Sequence, residues 1–261
     1  MIKMRFIYIC IFVFFNFFYS QKLSFIQYEV TGDYSNTIGV SPINEFLIFD
    51  NYKSFYFNTS IDNNEKKIEE LISQYDINVG NVKILNYNQN EFVQVVTKPK
   101  SSKQLLCLDS YEKLDWEILK ESKKILGYNC NLAKTKFRGR EYFAYFTTEL
   151  PFSYGPWKIN GLPGIVLNVY EKEKIYEYTA VKVIINSEKL SFPDSILDFV
   201  DINKKEIIPY KDYIDMHNLF LKEMRDKQLA SMGKGIVLTN VPDIRSMMRE
   251  KSFEWEETKK P

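Results

Sequence analysis

The sequence predicts a mainly β protein, built as a curved antiparallel sheet or half-barrel with a packed C-terminal amphipathic helix. Two observations support this prediction. Short runs rich in aromatic and β-branched residues recur at intervals of about eight to twelve residues, as in antiparallel sheets and barrels. Only one long segment, near the C-terminus, has a helical hydrophobic period. An α+β arrangement is the alternative.

The N-terminal half supplies most of these short runs. The segment 62–74 between them predicts a helix, because apolar residues fall near one face and Asp62 can cap the first turn. Aspartate and asparagine between the second and third runs indicate a hairpin. The predicted strands are 23–30, 45–49, 54–57, 82–87, 91–97, 104–108 and 114–119.

The segment 125–169 organises the middle of the chain. Its strands are predicted at 140–147 and 165–170, and another strand follows at 175–185. The sequence Leu162-Pro163-Gly164-Ile165 fits a type II turn, in which proline presets φ and glycine supplies a positive φ. Gly155-Pro156 forms a second turn, so the residues between the two turns make a short bridge.

The C-terminal part predicts the long amphipathic helix at 209–230. Its apolar residues repeat at three to four positions, Pro209 lies near its start and Gly233 lies beyond its end. We expect this face to pack on the sheet. A short helix is predicted at 243–251, and the charged end at 251–261 is expected to fray.

The first twenty residues predict a signal peptide, and residues 21–261 are expected to form a single domain. Lys3 and Arg5 precede a short apolar run at 6–15, and Ser20 offers a small residue for cleavage. An uncleaved anchor is the alternative. We therefore expect an exported protein, periplasmic or secreted, with no transmembrane span after cleavage.

Charge and composition exclude some functions. Without Lys3 and Arg5 the chain has 33 basic and 34 acidic residues, since the full count is 35 and 34. This balance argues against nucleic-acid binding. His217 is the single histidine, and no zinc motif or nucleophile elbow surrounds it. The sequence accordingly predicts no catalytic residue, no metal site and no cofactor.

Two cysteines, Cys107 and Cys130, remain after the predicted signal peptide. An even number of cysteines in an exported protein favours a disulfide between them. The alternative is a pair of buried free thiols.

Several linked motifs in 125–169 resemble the GLPGLI family of secreted bacterial proteins. The hexapeptide is matched by Gly161-Leu-Pro-Gly-Ile-Val166, where Ile165-Val166 replaces Leu-Ile, and Tyr145 stands where the family has tryptophan. The resemblance implies a compartment and a fold but no established activity, and it implies structural roles for the motif residues. These are Gly127, Tyr128, Gly139, Arg140, Gly155, Pro156, Trp157, Gly161, Leu162, Pro163 and Gly164.

Arg138 and Arg140 flank a glycine and could clamp an anion, but an exposed charged sheet face is the favoured interpretation. The favoured function is a non-enzymatic envelope protein that binds an apolar or extended ligand or assists an outer-membrane system. The excess of phenylalanine and tyrosine supports a ligand site. The alternative is an envelope hydrolase whose site is not visible in the sequence.

Overall fold

The computed structural model describes residues 22–31, 43–58, 67–73, 75, 82–86, 91–110, 113–231, 245 and 248–257. The predicted signal peptide lies outside these residues. Of the short helix predicted at 243–251, the described residues 245 and 248–251 are not α-helical. No helix in the described ranges has the length and apolarity needed to cross a membrane.

Twelve strands form one mixed sheet, which confirms the mainly β prediction. Its order is β12-β6-β5-β4-β3-β2-β1-β11-β10-β9-β8-β7, and the sheet is not closed. Neighbouring strands run antiparallel except β12 and β6, which are parallel. The strands are β1 (Leu23–Thr31), β2 (Ile43–Phe49), β3 (Lys53–Asn58), β4 (Val82–Asn86), β5 (Glu91–Thr97), β6 (Gln104–Asp109), β7 (Glu117–Ile125), β8 (Tyr128–Phe137), β9 (Arg140–Thr147), β10 (Ile165–Glu171), β11 (Glu177–Ser187) and β12 (Ile208–Pro209).

Four α-helices accompany the sheet in the described part of the chain. The predicted long helix is confirmed as α3 (Tyr210–Ser231). The helix predicted at 62–74 is represented by the shorter α1 (Ile68–Ser73). The sequence analysis did not predict α2 (Asp194–Asn203), which continues into a 3₁₀ turn at Lys204–Glu206. A short α4 (Glu254–Glu257) lies near the C-terminus.

The sheet curls until side chains at its two ends meet. Arg138 lies in the turn between β8 and β9, and its Nη2 is 2.7 Å from Oδ1 of Asp109 at the end of β6. These strands are far apart in the sheet order. The sheet therefore has a concave face, toward which Arg138 and Asp109 point, and a convex face.

The convex face is apolar, and two helices cover it. Leu71 and Ile72 of α1 and Ile196 of α2 are buried against it. The Phe55 ring contacts Phe192 with centroids 4.5 Å apart. The sheet residues of this cluster include Phe25, Phe46, Ile48, Phe57, Val82, Val95 and Leu106.

The concave face is filled in its middle by the loop between β9 and β10. Trp157 of this loop packs on Phe137 and Tyr142, with ring centroids 5.8 and 5.9 Å away. The Tyr28 hydroxyl donates a hydrogen bond of 2.6 Å to the carbonyl of Val166. The segment that resembles the GLPGLI motif thus lines the concave core.

Two hairpin turns in this region have matching geometry. Leu126 and Gly127 join β7 to β8 with φ of 50° and 88°, and Arg138 and Gly139 join β8 to β9 with φ of 42° and 78°. Positive φ at both turn positions is the mark of the type I′ hairpin. Gly139 also lies close to the C-terminal segment, because an added Cβ would be 2.9 Å from Cβ of Lys251.

Gly164 corrects one prediction. The type II turn requires a positive φ at this glycine, but the positive-φ glycines of the described chain are Gly127, Gly139 and Gly161. The space around Gly164 explains the residue instead. An added Cβ would lie 2.0 Å from the carbonyl oxygen of Thr147, so only glycine permits this approach of the two backbones.

The predicted disulfide between Cys107 and Cys130 is also wrong. Both cysteines are free and buried. Cys107 lies in a cluster with Tyr210 of α3, whereas Cys130 lies in the concave core. Cys130 precedes the Arg138 turn by eight residues, on the order of 26 Å of strand. Cys107 is only two residues from Asp109, which pairs with Arg138. Cys107 is therefore near the Arg138 turn, whereas Cys130 is near the other end of β8.

Residues 251–257, which were expected to fray, pack on the sheet. Phe253 is 3% exposed. Its ring lies in the same small cluster as Tyr210 and Ile214 of α3. The aromatic residues among the charges of this segment provide the buried contacts that hold it.

Candidate functional site

A C-terminal strip, residues 248–257, crosses the end of the concave face; we call it the closing segment. Its backbone is bound to the β8–β9 hairpin. The Lys251 amide donates to the Arg138 carbonyl at 2.9 Å, and the Tyr142 hydroxyl donates to the Arg249 carbonyl at 2.9 Å. Arg140 donates to the Met248 carbonyl at 2.8 Å. These bonds fix the closing segment over the sheet.

Arg138 is the centre of a buried ion-pair network beneath the closing segment. Its guanidinium donates two hydrogen bonds to Asp109, of 2.9 and 2.7 Å. It also binds Glu250 and, at 3.0 Å, Glu254. The side chain is 0% exposed. A bidentate pair of this kind, with two parallel N–H···O bonds, is the strong form of the arginine–carboxylate contact.

Lys158 completes this network. Its Nζ lies 2.6 Å from Asp109 and 2.7 Å from Glu250. The Tyr210 hydroxyl donates to the other oxygen of Glu250 at 2.8 Å. Burial acts to raise the pKa of Glu250, but Lys158 and Arg138 outweigh it and lower that pKa to about 2. The network therefore holds Glu250 as a carboxylate.

The exposed charged face predicted for Arg138 and Arg140 is wrong, because the two residues are only 6% and 4% exposed. Arg140 pairs with Glu171 at 3.2 Å and with Glu173 at 3.4 Å. Arg138 binds carboxylates of its own chain, and Arg140 binds carboxylates and the Met248 carbonyl. Both arginines hold the closing segment on the end of the sheet, Arg138 through Glu250 and Glu254 and Arg140 through Met248.

A cavity of about 360 Å³ lies beside this network, between the concave face, α3 and the closing segment. Its walls combine charged residues with aromatic rings. The lining residues are Glu45, Tyr56, Asn58, Lys83, Gln94, Val96, Trp157, Tyr176, Tyr210, Tyr213, Ile214, His217, Asn218, Arg245, Met248, Arg249, Glu250 and Phe253.

Glu45 and Arg249 form one wall of the cavity. The Arg249 Nη2 lies 2.8 Å from a carboxylate oxygen of Glu45, and the Tyr56 hydroxyl donates to the other oxygen. Burial acts to raise the pKa of Glu45, but Arg249 and Tyr56 together lower it. Glu45 is therefore a fixed carboxylate on a wall that reaches the closing segment through Arg249.

Lys83 stands on the concave face between Tyr56 of β3 and Gln94 of β5, its partners in strand register. It is 9% exposed. Burial, followed by the charge of Arg249, lowers its pKa to about 7. Among the described residues no hydrogen bond or ion pair to its amine is found.

The mouth of the cavity is aromatic. Tyr213, His217 and Asn218 come from α3, and Tyr176, which also lines the cavity, directly precedes β11. The rings of Tyr213 and His217 stack with centroids 5.8 Å apart. Burial and the charge of Arg245 lower the pKa of His217. The mouth thus presents partly exposed flat rings above polar walls.

One lining residue of the cavity has a buried polar atom without a partner. The buried Oδ1 of Asn58 has no hydrogen-bond partner within the described residues. A buried acceptor of this kind normally receives a donor from protein, water or ligand. No group of three or more metal-ligating side chains occurs in the described part of the chain.

Of the residues singled out from the sequence, Trp157 lines the cavity, while Arg138 and Arg140 hold the structure beside it. The glycines of the motif shape turns. Sequence reasoning missed Glu45, Lys83, Lys158, Arg249 and Glu250. One signal was present for two of them: Glu45 and Lys83 are charged residues within short, otherwise mainly apolar strand-like runs.

Comparisons with known proteins give the family. The family model described as N-glycanase peptide, N-terminal domain, matches residues 40–212, about two thirds of the chain. A solved structure of PNGF-II in space group C2 is similar, with 20% identity and a TM-score of 0.51 over 75% of this chain and 32% of that chain. PNGF-II in space group P21 gives 20% identity and a TM-score of 0.48 over 67% of this chain and 30% of that chain.

The C2 structure supports the fold alone. The chain spans about a third of the length of the two PNGF-II chains. A search of curated proteins finds no match. The family model nevertheless covers well over half of the chain, from residue 40 to the first turn of α3. The chain therefore belongs to the family of the N-glycanase peptide N-terminal domain.

Proposed function

We propose that this chain is an exported, non-enzymatic binding protein of the cell envelope, and that its cavity takes a polar, extended ligand of the glycan class. The observation that carries the proposal is the cavity of about 360 Å³ with aromatic rings at its mouth and charged groups on its walls. Its membership in a family named for an N-glycanase suggests the ligand class.

The chemistry of the lining supports a polar ligand over an apolar one. A sugar ring has an apolar C–H face that stacks on aromatic rings, such as Tyr176 and Tyr213, and hydroxyl groups that need hydrogen-bond partners. Asn58 and Gln94 bring amides to the walls, and the Gln94 amide already donates to Asp109 at 3.0 Å. A lipid chain would offer no hydrogen-bond partner to Asn58 or to the Lys83 amine, at a cost of about 1–3 kcal/mol for each unsatisfied group.

The cavity is also well built to keep its shape. Glu45, Arg249 and the ion-pair network of Asp109, Arg138, Lys158 and Glu250 are buried and mutually bonded. Ligand sites are usually largely pre-formed, because rigidity reduces the entropy lost on binding.

Calorimetric titration with a free N-linked glycan tests the proposal. We expect saturable binding to the wild-type chain, and a loss of about tenfold in affinity for Tyr176→Ala, equal to about 1.4 kcal/mol. The matched control is Tyr52→Ala, which removes an exposed tyrosine from the turn between β2 and β3, at the opposite end of those strands. A long-chain fatty acid that binds in place of the glycan would contradict the proposal.

A hydrolase is the second candidate, because titratable groups with shifted pKa values face the same cavity. Glu45, Lys83 and His217 all line it, and shifted pKa values cluster at catalytic sites. Incubation of a glycopeptide with the protein, read by mass spectrometry, separates the candidates. Release of glycan by the wild type and not by Glu45→Gln would establish the hydrolase.

Export and kinship with the GLPGLI family are parts of the same proposal. Export is supported by the charged start and apolar run of the first twenty residues. The kinship is supported by the motif residues themselves, since Gly161 has a φ of 88° and Gly155 and Gly164 lie where a Cβ would meet other atoms. Intact-mass analysis of the protein from its envelope fraction tests export: retention of Met1 would contradict it.

A further inference from the structure

We propose that Lys83 is a covalent capture site for small aldehydes, which enter the cavity and form an imine with its amine. This goes beyond the proposed glycan binding and does not rest on it. The argument depends on the position of one amine in the cavity and on the charges around it.

The amine has access to the cavity and no competing bond. Lys83 lines the cavity of about 360 Å³, a volume that admits a small polar aldehyde. No described residue makes a hydrogen bond or ion pair with its Nζ. By contrast, the nearby Lys158 is held by two carboxylates, which occupy its protons.

The neighbouring charges give Lys83 no counterion of its own. The carboxylates that act on it are Glu45 and Glu250, and each already pairs with another cation, Arg249 and Lys158 respectively. A protonated Lys83 would therefore be an extra cation in a buried site. Its proton leaves more readily than that of a solvated lysine, and the neutral amine is the nucleophile.

The reaction is balanced without a further reagent. The nitrogen lone pair attacks the aldehyde carbon and gives a carbinolamine, which loses one water molecule to leave a carbon–nitrogen double bond. Two hydrogens of the amine leave with the carbonyl oxygen. No oxidant or reductant takes part in this step.

Reductive trapping tests the site. The full chain is treated at pH 7 with glyceraldehyde and cyanoborohydride, which reduces the imine to a stable amine, and the product is digested and mapped. Among the lysines we expect one principal adduct, on Lys83, formed at least tenfold faster than the adduct on the exposed Lys98. An ordinary lysine has a pKa of about 10.4 and is protonated at this pH.

Adducts spread over exposed lysines, with Lys83 unmodified, would overturn the inference. Lys83→Met is the matched variant: it replaces the amine with an unbranched apolar side chain one atom shorter, and it should remove the principal adduct while the slow exposed adducts persist. If that variant does not fold, the map of the wild-type protein decides alone. Glycan binding by the wild type, measured separately, can succeed or fail without changing this result.

Discussion

The two faces of the curled sheet are buried in different ways. The convex face buries phenylalanine and aliphatic residues under α1 and α2, and its core cluster is apolar. The end of the concave face instead buries four mutually bonded charged groups, Asp109, Arg138, Lys158 and Glu250. Apolar burial stabilises by itself, whereas a buried charge is tolerated only with a partner. The polar end is therefore held by ion pairs, whereas the convex face is held by apolar packing.

The largest effect is expected from removing the central arginine. Arg138→Met leaves Asp109 and Glu250 with fewer partners, and breaking a buried ion pair costs about 3–5 kcal/mol. Chemical denaturation measures the free energy of unfolding. The control is Lys204→Met, which removes an exposed pair with Asp201 and should leave stability unchanged. Equal, small effects of both variants would contradict the contrast between the two faces.

Glycine substitutions separate backbone contact from backbone conformation. Gly164→Ala places a Cβ 2.0 Å from the Thr147 carbonyl oxygen, so we expect a loss of about 3 kcal/mol, the upper part of the overpacking range. At Gly127 an added Cβ has no atom within 4 Å, and only the positive φ of 88° opposes alanine. Thermal unfolding should therefore show a smaller shift for Gly127→Ala, of about 1 kcal/mol. The reverse order would contradict the contact argument.

The polar end should also make stability depend on pH. The folded state lowers the pKa of Glu250 from 4.5 to about 2. A lowered pKa favours the carboxylate, so this contribution is present above about pH 4.5 and is lost as the pH falls toward 2. It amounts to about 3 kcal/mol. Acid titration of unfolding should show a shallower loss between pH 4.5 and 2 for Glu250→Gln than for the wild type.

The smallest effect is expected from reductant. Cys107 and Cys130 are free thiols, and burial raises their pKa values to about 12 and about 11. Thiols in that state resist alkylation while the protein is folded. Reductant should leave the unfolding midpoint unchanged, and both thiols should react with iodoacetamide after unfolding without reduction. A midpoint that falls with reductant would indicate that the two cysteines form a disulfide after all.

The sequence predicted the parts of the fold that depend on local pattern. Alternating apolar runs located the strands, and β5 and β9 have the predicted bounds. The period of Tyr213, Met216 and Phe220 located α3. The helix α2 was missed, because its single buried residue, Ile196, gives little periodic signal.

The candidate site could not be predicted in the same way. Asp109 and Arg138 are 29 residues apart, and Arg138 and Glu250 are 112 apart, so their pairing depends on the curl of the whole sheet. A charged residue in a strand is normally assigned to the solvent face, which is why Arg140 was placed there. Arg140 is buried because the closing segment covers it, and the closing segment is itself held there by its bonds to Arg138, Arg140 and Tyr142.

The central claim is that the polar end of the concave face is the binding site. Hydrogen–deuterium exchange of the full chain, with and without a saturating free N-linked glycan, tests it most directly. We predict slower exchange in β3 and β4, where Asn58 and Lys83 lie, and in the closing segment at 248–257. Protection confined to α1 and α2 on the convex face, or no change at saturation, would contradict the account.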